Sequence, residues 1–169
     1  MNKKGFTLIE LIVTCAILSG ALAVAIPTYS VWEPKWRLKG SATDVYGAMN
    51  LAKVGAVREN ARAAVIFNLA NNTYTAFIDD GPANWALDSG EEILISGTAD
   101  EGIDMYQSTF PSHTCGFNGR GMLDEDLIAF QAPPYELHLK TSRPQYMGIK
   151  VSFTGLVSVI TSSDGTTWN

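Results

Sequence analysis

The feature that most constrains this chain is an apolar run close to its N-terminus. Phe6 to Ile26 are 21 residues with one formal charge, Glu10, and a few small polar side chains. A helix of that length rises about 31 Å, which is enough to cross the hydrocarbon core of a bilayer. Lys3 and Lys4 precede the run and predict a cytoplasmic N-terminus by the positive-inside rule. We therefore expect a membrane-spanning helix over residues 6–28, with the rest of the chain on the outer side.

Aromatic and basic residues follow the run at once, as they do where a membrane helix reaches the outer interface. They are Tyr29, Trp32, Lys35, Trp36, Arg37 and Lys39. The remainder of the chain is acidic, since the net charge is −5 overall and would be −7 without Lys3 and Lys4. An acidic body argues against general electrostatic binding of nucleic acid.

Three simple explanations of the N-terminus leave Glu10 unexplained or fit poorly. A secretory signal peptide has a shorter apolar core without acids. A lipoprotein signal would use Cys15, but Ile12-Val13-Thr14 does not match the small residues that precede such a cysteine. A plain anchor accounts for the length and gives no reason for a carboxylate, which costs a few kcal/mol in a membrane helix. The carboxylate of Glu10 therefore predicts that this side chain pairs with a functional partner group.

The segment Gly5-Phe6-Thr7-Leu8-Ile9-Glu10-Leu11 resembles the class III leader junction of type IV prepilins and type II secretion pseudopilins. The resemblance implies a leader of residues 1–5, cleavage between Gly5 and Phe6 by prepilin peptidase, and N-methylation of Phe6. It also implies that Glu10 pairs with the α-amino group of a neighbouring subunit's Phe6, and Pro27 agrees with the family's helix. The expected partners are other pilin subunits, the peptidase and an inner-membrane assembly platform. The expected location is the inner membrane, single-pass with an outer domain, and then a filament.

The helix is predicted to continue in an amphipathic half over residues 29–62. Pro27 and Pro34 predict kinks, Gly40 weakens the helix, and Ser41 is a candidate N-cap for a restart. Apolar residues then recur at helical spacing to about Arg62; they are Val45, Met49, Ala52 and Ala56.

Short β-rich runs with turn residues between them predict an antiparallel domain over residues 63–169, and the fold class is α+β. The predicted strands are Val65–Leu69, Thr73–Ile78, Glu92–Ser96, Ser112–Asn118, Leu127–Ala132, Glu136–Thr141, Gly148–Thr154 and Leu156–Thr161. Asn71-Asn72 predicts a hairpin turn, and Ser162 to Gly165 predict a turn at a frayed C-terminal end.

A second resemblance covers most of this part. Ala52 to Phe67, Phe117 to Gly121 and Val151 to Val157 resemble segments of the minor pseudopilin H (GspH) and FimT proteins, although Leu156 stands where arginine often follows the glycine. The resemblance implies a helix packed on a β-sandwich-like pair of sheets, and an accessory subunit. It singles out the turn of Gly119 and Arg120, where we expect Arg120 to bond carbonyl groups.

No pattern for catalysis, a cofactor or a metal stands out, and we expect a structural protein rather than a membrane-anchored enzyme. His113 and Cys115 offer two metal ligands where structural zinc takes four. Asp79-Asp80 and Asp124-Glu125-Asp126 lack the alternating ligands of a calcium loop. The alternative function is a DNA-binding minor pilin of the FimT type. It is disfavoured because residues 161–169 carry no cation, where such proteins are basic.

Overall fold

The computed structural model describes residues 6–81, 84–128, 133–143 and 145–169, with the backbone alone for residues 24–31. The chain divides into two compact units, Met1–Pro34 and Lys35–Asn169. The elements in chain order are α1 (Leu8–Glu59), β1 (Arg62–Asn68), β2 (Thr73–Asp79), β3 (Ile93–Thr98), β4 (Ile103–Ser108), β5 (Thr114–Phe117), α2 (Glu125–Ile128), β6 (Tyr135–Thr141), β7 (Tyr146–Val151) and β8 (Val157–Ser162).

The helix α1 remains helical through Pro34 and Gly40. Ser41 lies inside it and is buried, and its hydroxyl accepts a hydrogen bond from the backbone N–H of Asp100 at 2.9 Å. The predicted restart at Ser41 is therefore wrong, because this serine ties the helix to the domain instead of capping it. The helix ends at Glu59, where Asn60 takes a left-handed conformation with φ +48°.

The strands form two four-stranded antiparallel sheets. The order is β3-β2-β1-β5 in the first sheet and β4-β6-β7-β8 in the second. In the first hairpin Asn68 pairs with Thr73, so the loop of residues 69–72 confirms the turn predicted from Asn71-Asn72. The predicted β-sandwich-like domain with a packed helix is confirmed.

One core joins the helix to both sheets. The helix contributes a buried stripe that includes Leu38, Val45 and Met49. The first sheet adds Val65 and Phe67, and the second adds further aliphatic residues; among these are Leu137, Leu139 and Ile149. Val65 and Phe67 are two residues apart, as are Leu137 and Leu139, so each pair lies on one face of its strand.

Two differences from the predicted strands have local causes. Ile103–Ser108 forms β4, although its polar and acidic residues gave no strand signal. The predicted strand Leu127–Ala132 is wrong over its described part, because α2 occupies Glu125–Ile128. Asp124 caps that turn by accepting a hydrogen bond from the Asp126 N–H at 2.9 Å, and residues 129–132 lie outside the described residues.

The C-terminal residues fold back along the edge strand β8. Thr161 and Asn169 exchange two backbone hydrogen bonds, and the Trp168 ring stacks on His138 with centroids 4.0 Å apart. Asp164 accepts hydrogen bonds from the N–H groups of Thr166 and Thr167, which lower the pKa of its carboxyl. The predicted turn is confirmed, but the end is ordered against the sheet and not frayed.

Candidate assembly site

Glu10 caps the first turn of its own helix. The Glu10 carboxylate Oε2 accepts hydrogen bonds from the backbone N–H of Thr7 at 3.0 Å and from the Thr7 hydroxyl at 2.9 Å. The Thr7 hydroxyl in turn accepts the N–H of Glu10 at 3.3 Å. This reciprocal pair is a capping box, which satisfies backbone donors that a helix start leaves unpaired. Its signal, a threonine three residues before a glutamate, was missed in the sequence.

Large apolar side chains surround Glu10 on an exposed helix surface. Phe6 is 85% exposed and Leu8 76%. Others along the same stretch are exposed as well; they are Ile9, Leu11, Ile12, Val13, Ile17, Leu18 and Leu22. An apolar surface of this extent marks a site that contacts lipid or other protein chains. Among the described residues, a search finds no helix with the length and apolarity that crossing a membrane requires.

The other predicted positions at the N-terminus are described less fully. Gly5 lies outside the described residues, and Pro27 is described by its helical backbone alone. Cys15 is an exposed free thiol, whereas Cys115 is free and fully buried, which raises the pKa of its thiol. Cys115 is therefore a core residue.

The turn at Gly119 and Arg120 is organised by Asn118. The Asn118 side-chain oxygen accepts hydrogen bonds from the N–H groups of Arg120 at 3.0 Å and Met122 at 3.2 Å. Gly119 allows a close approach to Asn60, since a Cβ there would lie 3.0 Å from the Asn60 side-chain oxygen. Arg120 is exposed, and within the described residues its side chain makes no hydrogen bond. The expected bonds from the Arg120 side chain to carbonyl groups are absent there.

A polar pocket of about 500 Å³ lies beside this turn. Arg62 lines this pocket and forms ion pairs with Asp124 at 3.4 Å and with Asp126 at 2.7 Å. Arg62 thus offsets one of the three negative charges in the run Asp124-Glu125-Asp126, which lacks the ligand pattern of a calcium loop. In the described parts of the chain, no three histidine, cysteine or acidic side chains are grouped to hold a metal ion.

A second exposed apolar surface belongs to the domain. Val54 and Val57 on α1 are 61% and 51% exposed, and Phe153 and Leu156 in the β7–β8 turn are exposed as well. The Lys53 ammonium donates a hydrogen bond to the carbonyl of Gly155 at 2.9 Å, which joins the helix to this turn. We call these four apolar side chains the domain patch.

Comparisons with known proteins give this geometry a context. Residues 1–26 match the model of the prokaryotic N-terminal methylation motif. Residues 41–155 match the family model described as type II transport protein GspH. The chain belongs to the GspH family. A search of curated proteins finds no significant match.

One solved structure supports the fold. The minor pseudopilin EpsH from the type 2 secretion system of Vibrio cholerae is 15% identical, with a TM-score of 0.50 over 74% of this chain and 97% of that one. The type IV minor pilin FimU of Pseudomonas aeruginosa is 13% identical, with a TM-score of 0.49 over 80% of this chain and 94% of that one.

The family membership confirms the predicted class of function. The protein is a minor pseudopilin-like structural subunit that carries the N-terminal methylation motif, and GspH-family subunits assemble with other pilin subunits. The DNA-binding alternative of the FimT type is not favoured by these matches.

Proposed function

We propose that the chain is cleaved between Gly5 and Phe6 by prepilin peptidase, methylated at Phe6, and held in the inner membrane by residues 6–28. The helix continuation (29–62) and the β domain (63–169) then lie on the outer side. An inner-membrane platform assembles the mature subunit into a type II secretion pseudopilus or a type IV pilus, where it supports secretion or pilus assembly. Its role is structural, without catalysis.

The observation that carries this proposal is a single acid within an exposed apolar helix that matches the methylation motif. Both hydrogen bonds from Thr7 use Oε2 of Glu10, and Oε1 has no partner among the described residues. The capping box therefore leaves one carboxylate oxygen for a donor from another chain. A buried carboxylate and a buried ammonium are each costly alone in lipid, and pairing them removes most of that cost. The α-amino group of a neighbouring Phe6 is such a donor and would fix the axial offset between subunits.

Mass spectrometry of the protein purified from the membrane fraction tests the processing step. We expect a mature chain that begins with N-methylated Phe6 and lacks residues 1–5. A mature chain that begins elsewhere, or an unmethylated Phe6, would show that the motif is not used.

Two substitutions separate the charge of Glu10 from its capping function. Glu10→Gln keeps the hydrogen-bond geometry of a capping box and removes the charge, whereas Glu10→Val removes both. We expect both variants to be inserted and processed. Both should enter filaments at least tenfold less than the wild type, because a loss of about 1.4 kcal/mol in pairing free energy lowers an association constant tenfold. Quantification of the subunit in sheared filaments gives this ratio.

The matched control is Thr7→Val, which removes the hydroxyl of the capping box and keeps the charge. It should enter filaments nearly as well as the wild type once processed. If Glu10→Gln assembled normally while Glu10→Val did not, the acid would act as a helix cap and the pairing would be wrong.

A further inference from the structure

A pocket of about 530 Å³ opens in the domain unit beside its first residues. Lys35, Leu38 and Lys39 of α1 form one wall, and Tyr146 and Met147 of β7 form another. Leu38 is only 2% exposed and makes the base apolar. Because the unit begins at Lys35, its first helical turn lines the pocket.

The mouth of the pocket is basic although the unit is acidic. Without Lys3, Lys4, Glu10 and Glu33, the chain keeps ten of its 12 lysines and arginines and 15 of its 17 acids, a net charge of −5. Lys35 and Lys39 are exposed and one helical turn apart, so both project from the same side of the helix, and the Lys39 ammonium lies 5.6 Å from the centroid of the Trp36 ring. Neither lysine pairs with a carboxylate within the described residues, and the residues that line the pocket include no acid. An anion is the ligand that suits this mouth.

The wall also holds an unused hydrogen-bond acceptor. The side-chain oxygen Oε1 of Gln145 is buried and has no hydrogen-bond partner among the described residues. A buried acceptor without a donor is costly, and a ligand hydroxyl would satisfy it. Hydroxyls of the β8 end lie in the same lining, at residues 161–163.

We infer that this pocket binds one anionic phospholipid whose headgroup carries hydroxyl groups. The phosphate lies between Lys35 and Lys39, a headgroup hydroxyl donates to Gln145, and the start of an acyl chain lies against Leu38 and Met147. The inference rests on the proposed membrane insertion of residues 6–28, because Lys35 lies only seven positions beyond the end of that segment. Binding would hold the domain at the membrane before assembly.

The test uses the full chain purified from membranes in a non-ionic detergent. Native mass spectrometry counts bound lipid as phosphatidylglycerol, phosphatidylcholine with the same chains, or glycerol phosphate is added. We expect one phosphatidylglycerol to bind at least tenfold more tightly than phosphatidylcholine, because one lysine near an anionic lipid contributes about fivefold. Glycerol phosphate alone should bind weakly, since it lacks the acyl chain.

The double variant Lys35→Gln/Lys39→Gln should lose this preference. The control Arg58→Gln/Arg120→Gln changes the net charge equally at exposed positions outside the pocket and should keep the preference. Equal affinity for the two lipids, or a preference that survives in the first variant, would overturn the inference. Glycerol phosphate that binds as tightly as the lipid would overturn it too, since the pocket would then be a small-anion site.

A failure of the proposed function looks different. A chain that does not fractionate with membranes would contradict the proposed membrane insertion. The lipid pocket rests on that insertion, so this result would contradict both proposals before any lipid is added. A chain that is membrane-bound and processed at Phe6, yet binds both lipids equally, contradicts the lipid pocket alone.

Discussion

Asp79 is a buried carboxyl at the end of β2, and it bears on how stability changes with pH. It is 3% exposed; its Oδ2 accepts the N–H of Trp85 at 3.3 Å, and its Oδ1 has no partner in the described part of the chain. Burial raises the pKa of Asp79, the Trp85 hydrogen bond opposes this, and the charge of Glu91 adds to it. The folded state thus binds this proton more tightly than the unfolded state does. The resulting stabilisation is present below the ordinary pKa of aspartate and is lost as the pH rises through the raised pKa.

Asp79→Asn should therefore raise the melting temperature at pH 7, and the gain should shrink as the pH falls through the raised pKa and vanish below about pH 4. Asparagine can still accept the Trp85 N–H, so the change mainly removes a buried charge. Thermal unfolding of the full chain in detergent at several pH values measures this difference in melting temperature. The neighbouring exposed Asp80→Asn is the control and should change little. A lower melting temperature for Asp79→Asn at pH 7 would mean that attraction to Arg62 outweighs burial.

Glu10 shows what a sequence gives at the residue scale and what it leaves out. Its charge within an apolar run was enough to single it out, because a carboxylate in a membrane helix is energetically costly and usually marks a functional residue. Its hydrogen bonds to Thr7 follow from the three-residue spacing of Thr7 and Glu10, which is the sequence signature of a capping box. The role of Ser41 could not have been predicted, since its partner Asp100 is 59 residues away in the chain.

At the scale of elements, the β7–β8 turn packs on the turn of residues 118–122. Gly155 has φ +75°, and a Cβ there would clash with the carbonyl oxygen of Gly121. Gly102 has a similar φ of +83° with nothing within 4 Å of such a Cβ. A substitution at Gly102 therefore tests backbone strain alone, whereas a substitution at Gly155 tests backbone strain together with a steric clash.

Gly102→Ala should cost about 1 kcal/mol from the left-handed backbone alone, which is roughly 2–4 °C in melting temperature. Gly155→Ala should cost about 3 kcal/mol, or roughly 6–12 °C, because the two turns must also move apart. Circular dichroism melts of the two variants give the comparison. Equal losses would show that the turns separate without cost.

The elements themselves were predictable to the extent that the core pattern was local. Strands such as Thr73–Asp79 are rich in β-forming side chains, so seven of the eight described strands overlap a predicted one. β4 is a strand because it pairs with β6 from Ile103 to Ser108, a non-local cause that its own residues do not show. α2 replaced a predicted strand because the Asp124 side chain caps a helical turn. The contact between Gly155 and Gly121 is equally non-local.

At the scale of the whole molecule, an assembling subunit must present surface that its own core does not use. The domain patch fits this requirement, since Val54, Val57, Phe153 and Leu156 are all exposed and the Lys53 hydrogen bond holds the two parts together. Exposed apolar side chains that adjoin one another are typical of protein contacts. We expect another pilin-like subunit to cover the patch in the filament.

Leu156→Lys tests this surface without touching the core. Leu156 is 64% exposed, so the substitution should change the free energy of unfolding by less than about 0.5 kcal/mol. An ammonium buried against a neighbour without a partner costs several kcal/mol, so incorporation into filaments should fall at least tenfold. Ile93→Lys is the control, because Ile93 is 53% exposed on the edge strand β3, outside the patch. Equal incorporation of Leu156→Lys and the wild type, with both chains folded and processed at Phe6, would show that the patch faces solvent in the filament and that lateral contacts lie elsewhere on the domain.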